Sequence, residues 1–417
     1  MIVISNLSKF LIKTCYYSGL PLEKKHIRLT RCSLVCSIFL TLYIVIDILM
    51  KLLLKTEMSL EEKLLCAQNI LIFLSIFMAR FEFMRKSEYL SDIINDLDQE
   101  GSDNLEYDNN ISVTELIDNF PRKKSDRLQK IAGFIFEIVC IMGLFSFFFP
   151  VVVGLFIILK NNQSESSESL PLLIPSYHSY NSHSLLFYLL KCIVHFVIIY
   201  FSISFGTTTI IMSFCSVHAI ASDLRWLCNL AEKLNTTAAP VVDSPNMFNK
   251  IEIDRQNEYH SNIHQENEDL LRFIVLIHKN VRRKIHNLNK GLGLVNLLMC
   301  NTFCFEICVC IYCTIQVDEI QVKFQYVMLL TPVTYTMYAL CNYGQSLINE
   351  SENFQNALWS TAWTDMPTWK QKNVQIVMTL ASVQLEMRGC GVFVMNLKMF
   401  SSIMHAAYSY YSLLNAI

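Results

Sequence analysis

The chain has 417 residues, of which 53% are hydrophobic and only 17% charged, and it carries a formal net charge of −2. Its mean hydropathy is +0.35. An ordinary soluble domain contains about 25% charged residues, so this composition excludes a single soluble globular domain. The sequence therefore predicts an integral membrane protein with no separate catalytic domain, and it does not predict an enzyme.

Seven apolar stretches, each long enough to cross a bilayer, follow one another along the chain. A helix needs about 20 residues to span the hydrocarbon core. The seven stretches cover residues 32–54, 64–83, 131–159, 185–218, 291–317, 324–340 and 390–414. The predicted fold class is therefore an all-α membrane protein with seven transmembrane helices.

The basic residues predict the orientation of these spans. Of the 34 Lys and Arg, 26 lie before the first span or in the second, fourth and sixth gaps, whereas the other gaps hold only Lys55, Lys63, Lys160 and Lys323. Because Lys and Arg are retained on the cytoplasmic side, we predict a cytosolic amino terminus and an extracellular carboxyl terminus. Among the Asn-x-Ser/Thr sites only Asn162 then lies outside, so a glycan is predicted there alone.

Two of the predicted cytosolic connections have helical patterns of their own. In the fourth gap an apolar side recurs at helical spacing through Leu270, Phe273, Ile274, Ile277, Val281 and Ile285. This pattern predicts a helical extension of the fifth span, and the alternative is a membrane-surface helix or a calmodulin target. The sixth gap, 341–389, contains three of the four Trp and a predicted helix over about 370–387. We expect this segment to be a cytosolic helical platform for subunit assembly.

The fifteen cysteines do not indicate a metal site or a disulfide scaffold. The most crowded set lies in the fifth span, where Cys300, Cys304 and Cys308 repeat every four residues along one helical face. A free Cys on such a face acts as a small hydrophobic residue, and no neighbouring His or second Cys pair completes a tetrahedral site. No metal or other cofactor is predicted.

The last eighty residues carry several short motifs at defined spacing. The sequence reads Cys-Asn-Tyr-Gly-Gln at 341–345 and Asp-Met-Pro at 365–367. The last span contains Asn-Leu-Lys-Met-Phe at 396–400 and ends with Ala-Ala-Tyr-Ser-Tyr-Tyr-Ser-Leu-Leu at 406–414. This combination resembles the carboxyl-terminal signature of insect odorant receptors, and the predicted topology is similar to theirs over the whole chain.

The resemblance implies a heterotetrameric, odorant-gated, non-selective cation channel in the plasma membrane of olfactory sensory neurons. It also implies that this chain is the odorant-binding subunit, because it lacks the long added loop of the coreceptor. The expected partners are coreceptor subunits, a small volatile odorant and membrane lipid, with no nucleic acid. The chain then divides into a cytosolic segment (1–31), a six-helix bundle with the odorant pocket (32–340), the cytosolic assembly segment (341–389) and a pore-lining seventh helix with a short extracellular tail (390–417).

The seventh span also has the residue types of a pore-lining helix. Small and polar residues such as Ser401 and Ser402 interrupt it, and lipid-facing helices rarely carry such a stripe. Lys398 is predicted to lie about 12 Å into this span, where a cation is costly unless it faces water or a partner. We expect it to face the pore, and the alternative is that it extends to the cytosolic surface. By the resemblance, the hydrophobic gate lies at Leu413 and Ile417.

The predicted odorant pocket lies among the exterior halves of the helices. Aromatic rings there would give apolar contact, and a few polar groups would orient the ligand. The candidates are Phe73 and Phe77 in the second span, Ser146 and Phe149 in the third, His195 in the fourth, Tyr312 in the fifth and Tyr326 in the sixth. Each also fits ordinary packing, and His195 fits a hydrogen-bonded interior group.

Three other functions fit parts of the pattern. A gustatory receptor channel of the same superfamily shares the topology, but its Thr-Tyr…Gln-Phe signature near the last span is absent. A receptor coupled to G proteins needs the opposite orientation. A transporter or membrane enzyme needs paired intramembrane carboxylates, whereas Asp47, Glu82, Glu137 and Glu306 lie on four different spans and no internal repeat is visible.

Overall fold

The computed structural model describes residues 27–55, 58–98, 185–236, 250–316 and 320–416, together with a few isolated positions. Nearly all of these residues are helical, as the sequence predicts for the fold class. The predicted third span, 131–159, lies almost wholly outside the described residues. So do Ser146, Phe149, Asn162 and Ile417.

Eight α-helices, a short 3-10 helix (Trp363–Asp365) and one small hairpin are the main elements of the described part of the chain. The helices are α1 (Ile27–Leu54), α2 (Leu60–Arg85), α3 (Ser87–Asp98), α4 (Leu185–Thr236), α5 (Lys250–Gln316), α6 (Ile320–Trp359), α7 (Thr368–Ala381) and α8 (Leu397–Ala416). The hairpin pairs β1 (Arg388–Gly389) with β2 (Phe393–Val394) in antiparallel orientation. Within the described residues, α1, α2, α4 and α5 contain stretches long and apolar enough to cross a membrane by length and composition.

Helices α4 and α5 are much longer than a bilayer is thick. With 52 and 67 residues they measure about 78 and 100 Å at 1.5 Å per residue, against a core of about 30 Å. The predicted extension of the fifth span is therefore confirmed as a continuous helix. Leu270, Phe273, Ile274 and Val281 on its apolar side are buried, so the chain itself covers the face that a membrane surface or calmodulin would need.

The largest apolar core among the described residues extends from the predicted spans into the parts of α4 and α5 that continue beyond them. It joins α3 to the inner parts of α4, α5 and α6 and to α7, through Ile93, Leu224, Leu288, Phe354 and Val374. Each of these side chains is almost completely buried, and full burial of one such side chain stabilises the fold by about 1.5–3 kcal/mol. We call this end of the bundle, which carries α3, α7 and the hairpin, the inner end. The opposite end, with the carboxyl ends of α5 and α8, is the outer end.

The seventh membrane helix begins later than the sequence predicts. Cys390 and Gly391 have positive φ angles of 53° and 76° and form the turn of the hairpin. The helix α8 begins only at Leu397. Asn396 caps its amino end, since the Asn396 side chain accepts a hydrogen bond of 2.9 Å from the Met399 N–H. The predicted start at residue 390 is therefore wrong, because the apolar hairpin residues continue the hydropathy pattern of the helix.

This correction also moves Lys398. The residue is the second of α8, so it lies in the first helical turn at the inner end of the helix. The predicted depth of about 12 Å is therefore wrong too.

Gly344 on α6 allows the hairpin to dock closely. A Cβ atom built at Gly344 would overlap the carbonyl oxygen of Met395. Because this oxygen is a backbone atom, a change of side-chain rotamer cannot relieve the overlap. A glycine is thus required where the strand after the turn crosses α6. This contact fixes the start of α8 against the inner core.

Candidate functional site

Two of the predicted ligand residues lie in an apolar cluster at the outer part of α1, α2 and α4. Phe73 is 4% exposed and packs with Ile44 and Ile48 of α1 and with Ile198 of α4. His195 lies one turn before Ile198 and is 2% exposed. The structure therefore places Phe73 and His195 in the same part of the bundle interior.

A buried ion pair lies beside His195. Lys191, one turn earlier on α4, has its Nζ 3.4 Å from Oδ2 of Asp47 on α1, and the two side chains are only 7% and 12% exposed. Paired charges are tolerated in a membrane interior, whereas single charges are costly there. His195 Nδ1 is buried without a hydrogen-bond partner among the described residues. The cluster thus combines apolar walls with polar atoms that can orient a small ligand.

Tyr312 and Tyr326 form part of a second cluster. Tyr312 on α5 is 7% exposed and buried with Val309 and Cys313, and Tyr326 of α6 and Tyr411 of α8 pack against them. The structure therefore brings two predicted ligand residues into one cluster with a residue of the last helix. The remaining described candidate, Phe77, is half-buried on α2.

One side of α8 is polar and uncovered in the single chain. Its exposed positions recur at helical spacing and are Lys398, Ser401, Ser402, His405, Tyr408, Ser409 and Ser412. The opposite side carries Ile403 and Ala407, which are buried against the bundle. A polar helix face is disfavoured against lipid tails, so this arrangement suits water or a neighbouring subunit. Leu413, the described gate candidate, is 59% exposed near the outer end of the same helix.

The inner end carries large apolar side chains on its surface. Trp359, Trp369, Ile376, Val383 and Val392 are between 46% and 73% exposed. They lie on α6, on α7 and in the segments that follow α7, and all but Val392 are outside the predicted spans. Exposed apolar residues concentrated in this way mark a protein interaction surface.

Ion pairs join the helices of the inner end. Arg283 of α5 donates to Asp96 of α3 at 2.6 Å, and Lys284 of α5 lies 3.1 Å from Asp223 of α4. Burial raises the pKa of the Asp96 carboxyl, and the hydrogen bond and charge of Arg283 oppose that rise. These pairs were not foreseen from the sequence, because their members are 61 or more residues apart.

The Asp47–Lys191 pair was missed for the same reason. Both residues are visible in the sequence as charges inside apolar spans, and such residues are functional candidates by default. Their separation of 144 positions hides the partnership. The sequence therefore marks each charge as unusual, but it does not show that the two residues are in contact.

A model of the family described as 7tm Odorant receptor matches residues 64–408 of this chain. Odorant receptor 49a of Drosophila melanogaster is 23% identical over 245 residues, which cover 58% of this chain and 55% of that protein. The odorant receptor coreceptor of Aedes aegypti is 27% identical over 150 residues, covering 34% of this chain and 30% of that protein. The chain thus matches about half or less of the length of these curated relatives.

The fold is similar to that of a solved insect receptor. The structure of the insect olfactory receptor OR5 from Machilis hrabei has a TM-score of 0.72 at 15% identity, covering 97% of this chain and 96% of that chain. Its complex with eugenol has a TM-score of 0.74 and covers 98% and 97%. At this identity the similarity shows the fold, with its seven transmembrane helices.

Proposed function

Since this chain belongs to the 7tm odorant receptor family, we propose that it is the odorant-binding subunit of a heterotetrameric, ligand-gated, non-selective cation channel. It assembles with coreceptor subunits in the plasma membrane of olfactory sensory neurons. The observation that carries this proposal is the exposed polar side of α8. In a single chain that side would face lipid, whereas around a central axis shared by four subunits it faces water.

In the proposed orientation, the inner end lies in the cytosol and α8 ends outside the cell. The distribution of Lys and Arg in the sequence supports this orientation. Segment 341–389 is the assembly platform, and its exposed Trp359 and Trp369 support that role. Asn162 is the proposed site of a glycan, and modification of a cytosolic sequon such as Asn235 would contradict the orientation.

The odorant is proposed to bind among the outer halves of the membrane helices. The buried Phe73 and His195 support a site between α2 and α4, and Tyr312 with Tyr326 supports a connection from α5 and α6 to α8. The proposed pocket also includes Phe77, Ser146 and Phe149. The solved receptor of the same fold has been determined in complex with eugenol.

Gating is proposed to be a shift between closed and open populations. A ligand changes such an equilibrium only through its difference in affinity for the two states. Tyr411 of α8 packs against the cluster that contains Tyr312, so a change around α5 and α6 reaches the last helix directly. Leu413 and Ile417 are the proposed gate residues, and Lys398 is proposed to lie at the inner mouth of the pore.

The test is co-expression of the chain with a coreceptor in cells that have no other odorant receptor, with recording of whole-cell current against a panel of volatile compounds. We expect a cation current that requires both subunits and persists when G-protein signalling is blocked. A response that disappears with G-protein signalling would contradict the channel function. A signal from the coreceptor alone would show that this chain does not provide the ligand site.

A further inference from the structure

Buried charged side chains in the described residues have partners, and Glu306 differs from them. Lys191 pairs with Asp47, and Arg80 donates to a backbone carbonyl of α4 at 2.9 Å. Glu82 lies 2.8 Å from Arg85 and 2.6 Å from Lys86. Glu306 is 7% exposed, yet none of the described residues donates a hydrogen bond to its carboxyl group or forms an ion pair with it.

Glu306 lies near the middle of the bilayer. It precedes the outer end of α5 at Gln316 by ten residues, which is about 15 Å of helix and half of a core about 30 Å thick. The predicted third span contains no Lys, Arg or His, so that span offers no counter-cation. A buried carboxyl group without a counter-charge is held in its neutral acid form, because the isolated anion is costly in an apolar medium.

Thr302, one turn before Glu306 on α5, is also buried and lies at the interface between α5 and α2. Thr302 Oγ1 lies 2.9 Å from Ser75 Oγ, and Leu64, three turns before Ser75, packs at the outer end of α5. The two helices therefore run antiparallel, with Glu306 one turn outward from Thr302. Gln68 lies two turns outward from Ser75, and therefore about one turn, or roughly 4–5 Å, outward from Glu306.

Gln68 also lacks a partner in the described part of the chain. It is 3% exposed, and its Oε1 accepts no hydrogen bond there. A buried amide oxygen without a donor is destabilising, so this position favours a ligand that brings a donor. The interface thus presents a carboxylic acid and an amide oxygen about one turn apart, with the hydroxyl groups of Thr302 and Ser75 one turn inward from the acid.

We propose that Glu306 and Gln68 form a subsite between α2 and α5 that binds the amino group of a volatile amine. The inference rests on the proposed function of the chain as an odorant-binding subunit. A neutral amine reaches the site through the membrane and takes the proton of the Glu306 carboxyl group. The O–H bond breaks, an N–H bond forms, and the resulting ammonium and carboxylate pair in place. The ammonium donates a second hydrogen bond to Gln68 Oε1.

This chemistry distinguishes amines from other odorants of the same length. An ammonium group has up to three donors and a positive charge, an alcohol has one donor, and an aldehyde has none. The proton transfer creates the charge only after the ligand has arrived, so a charged species need not cross the bilayer. Hexylamine, hexanol and hexanal are therefore suitable probes.

The experiment records current from the chain co-expressed with a coreceptor, for the wild type and for Glu306→Gln. We expect hexylamine to open the wild-type channel. We expect Glu306→Gln to raise the half-maximal hexylamine concentration by about tenfold or more, while responses to the two neutral probes stay within about twofold. Glu62→Gln is the matched control, since this carboxyl lies at the outer end of α2 with 38% of its side chain exposed, and it is expected to change neither.

Each other outcome overturns the subsite. An equal loss for all three probes would assign Glu306 a structural role, and unchanged hexylamine sensitivity would remove it from the site. A wild-type channel that answers neutral odorants but not hexylamine would contradict the subsite and leave the proposed function standing. Silence to every odorant of the wider panel would contradict the proposed function, and the subsite with it. If Glu306→Gln fails to reach the cell surface, Gln68→Leu gives the same comparison.

Discussion

The inner end and the membrane part of this bundle differ in how closely their charged and polar groups are paired. At the inner end, Arg283 reaches Asp96 and Arg225 reaches Glu350, both at 2.6 Å. In the membrane part, the ion pair between Lys191 and Asp47 is longer, at 3.4 Å, and buried polar atoms of His195 and Gln68 are left without partners among the described residues. Short ion pairs thus join the helices at the inner end, although Asp96 Oδ2 is also without a hydrogen-bond partner among the described residues.

The difference suits two roles within one set of helices, which are holding the fold at the inner end and responding to a ligand in the membrane part. Short ion pairs between helices favour a single arrangement, whereas an unsatisfied buried group raises the energy of the empty state. A ligand that supplies the missing partner lowers the energy of the state it binds, and so it shifts the population. In the proposed gating, the inner end is the fixed part of the bundle and the membrane helices move relative to it.

The largest effect is expected where the inner end has no room to adjust. Gly344→Val places a side chain on the Met395 carbonyl oxygen, so the hairpin and the start of α8 must move. Overpacking of a core costs about 1–3 kcal/mol, and more where backbone meets backbone. We expect loss of odorant-evoked current and a marked drop in the melting temperature of the purified protein.

Gly206→Ala is the matched control for that substitution. Gly206 lies in α4, and a Cβ atom there meets nothing within 4 Å. Alanine is favoured over glycine in a helix by about 1 kcal/mol, so this variant should be at least as stable as the wild type. If Gly344→Val behaves like Gly206→Ala, the hairpin is not held by close packing.

The extension of α5 could be predicted because its pattern is local. Leu270, Phe273, Ile274 and Val281 follow a period of 3.6 residues, and all four are buried. The platform helix was predicted over about 370–387, but α7 runs from Thr368 to Ala381. Its end was misplaced because the apolar pattern continues to Leu385, which is buried but lies beyond the helix.

What could not be predicted depends on contacts between distant parts of the chain. The turn before α8 left a local signal, since Gly389 and Gly391 flank Cys390, but the surrounding apolar residues concealed it. The partnership of Asp47 and Lys191 left none, because hydropathy identifies each charge and says nothing of its neighbour. Of the predicted ligand residues, the structure assigns Phe73 and Tyr312 to two separate clusters, a division that no periodicity contains.

The second prediction compares one ion pair from each region. Asp47→Ala leaves Lys191 buried without that partner, and breaking a buried pair costs about 3–5 kcal/mol. Glu350→Ala releases Arg225, whose side chain is 47% exposed, so solvent replaces the lost charge and the cost is about 1 kcal/mol or less. Thermal unfolding of both variants in the same detergent measures the contrast. Equal losses of stability in the two variants would mean that burial does not make the Asp47–Lys191 pair more important than the Arg225–Glu350 pair.

The third prediction concerns Lys398, whose position at the start of α8 does not favour the helix. A cation near a helix amino terminus is mildly unfavourable, and the side chain is exposed in the single chain. If four such residues surround the inner mouth, Lys398→Ala should raise single-channel cation conductance by about twofold, since screening at this exposed site limits the effect. Lys398→Gln is the matched neutral control of similar length. Conductance and ion selectivity unchanged in both variants would place Lys398 away from the pore.

The smallest effect is expected from Asp96, the acidic group that connects α3 to α5. Burial raises its pKa in the folded protein despite the opposing hydrogen bond from Arg283. A carboxyl whose folded pKa lies above the unfolded one contributes stability at low pH, and that contribution is lost as the pH rises through the folded pKa. Asp96→Asn has no such titration, so its stability relative to the wild type should improve as the pH rises from acidic to neutral. Melting temperatures of the two proteins across that range measure this slope. An opposite slope would show that Arg283 outweighs burial, and that the inner end stabilises the ionised carboxylate as fully as its short distances suggest.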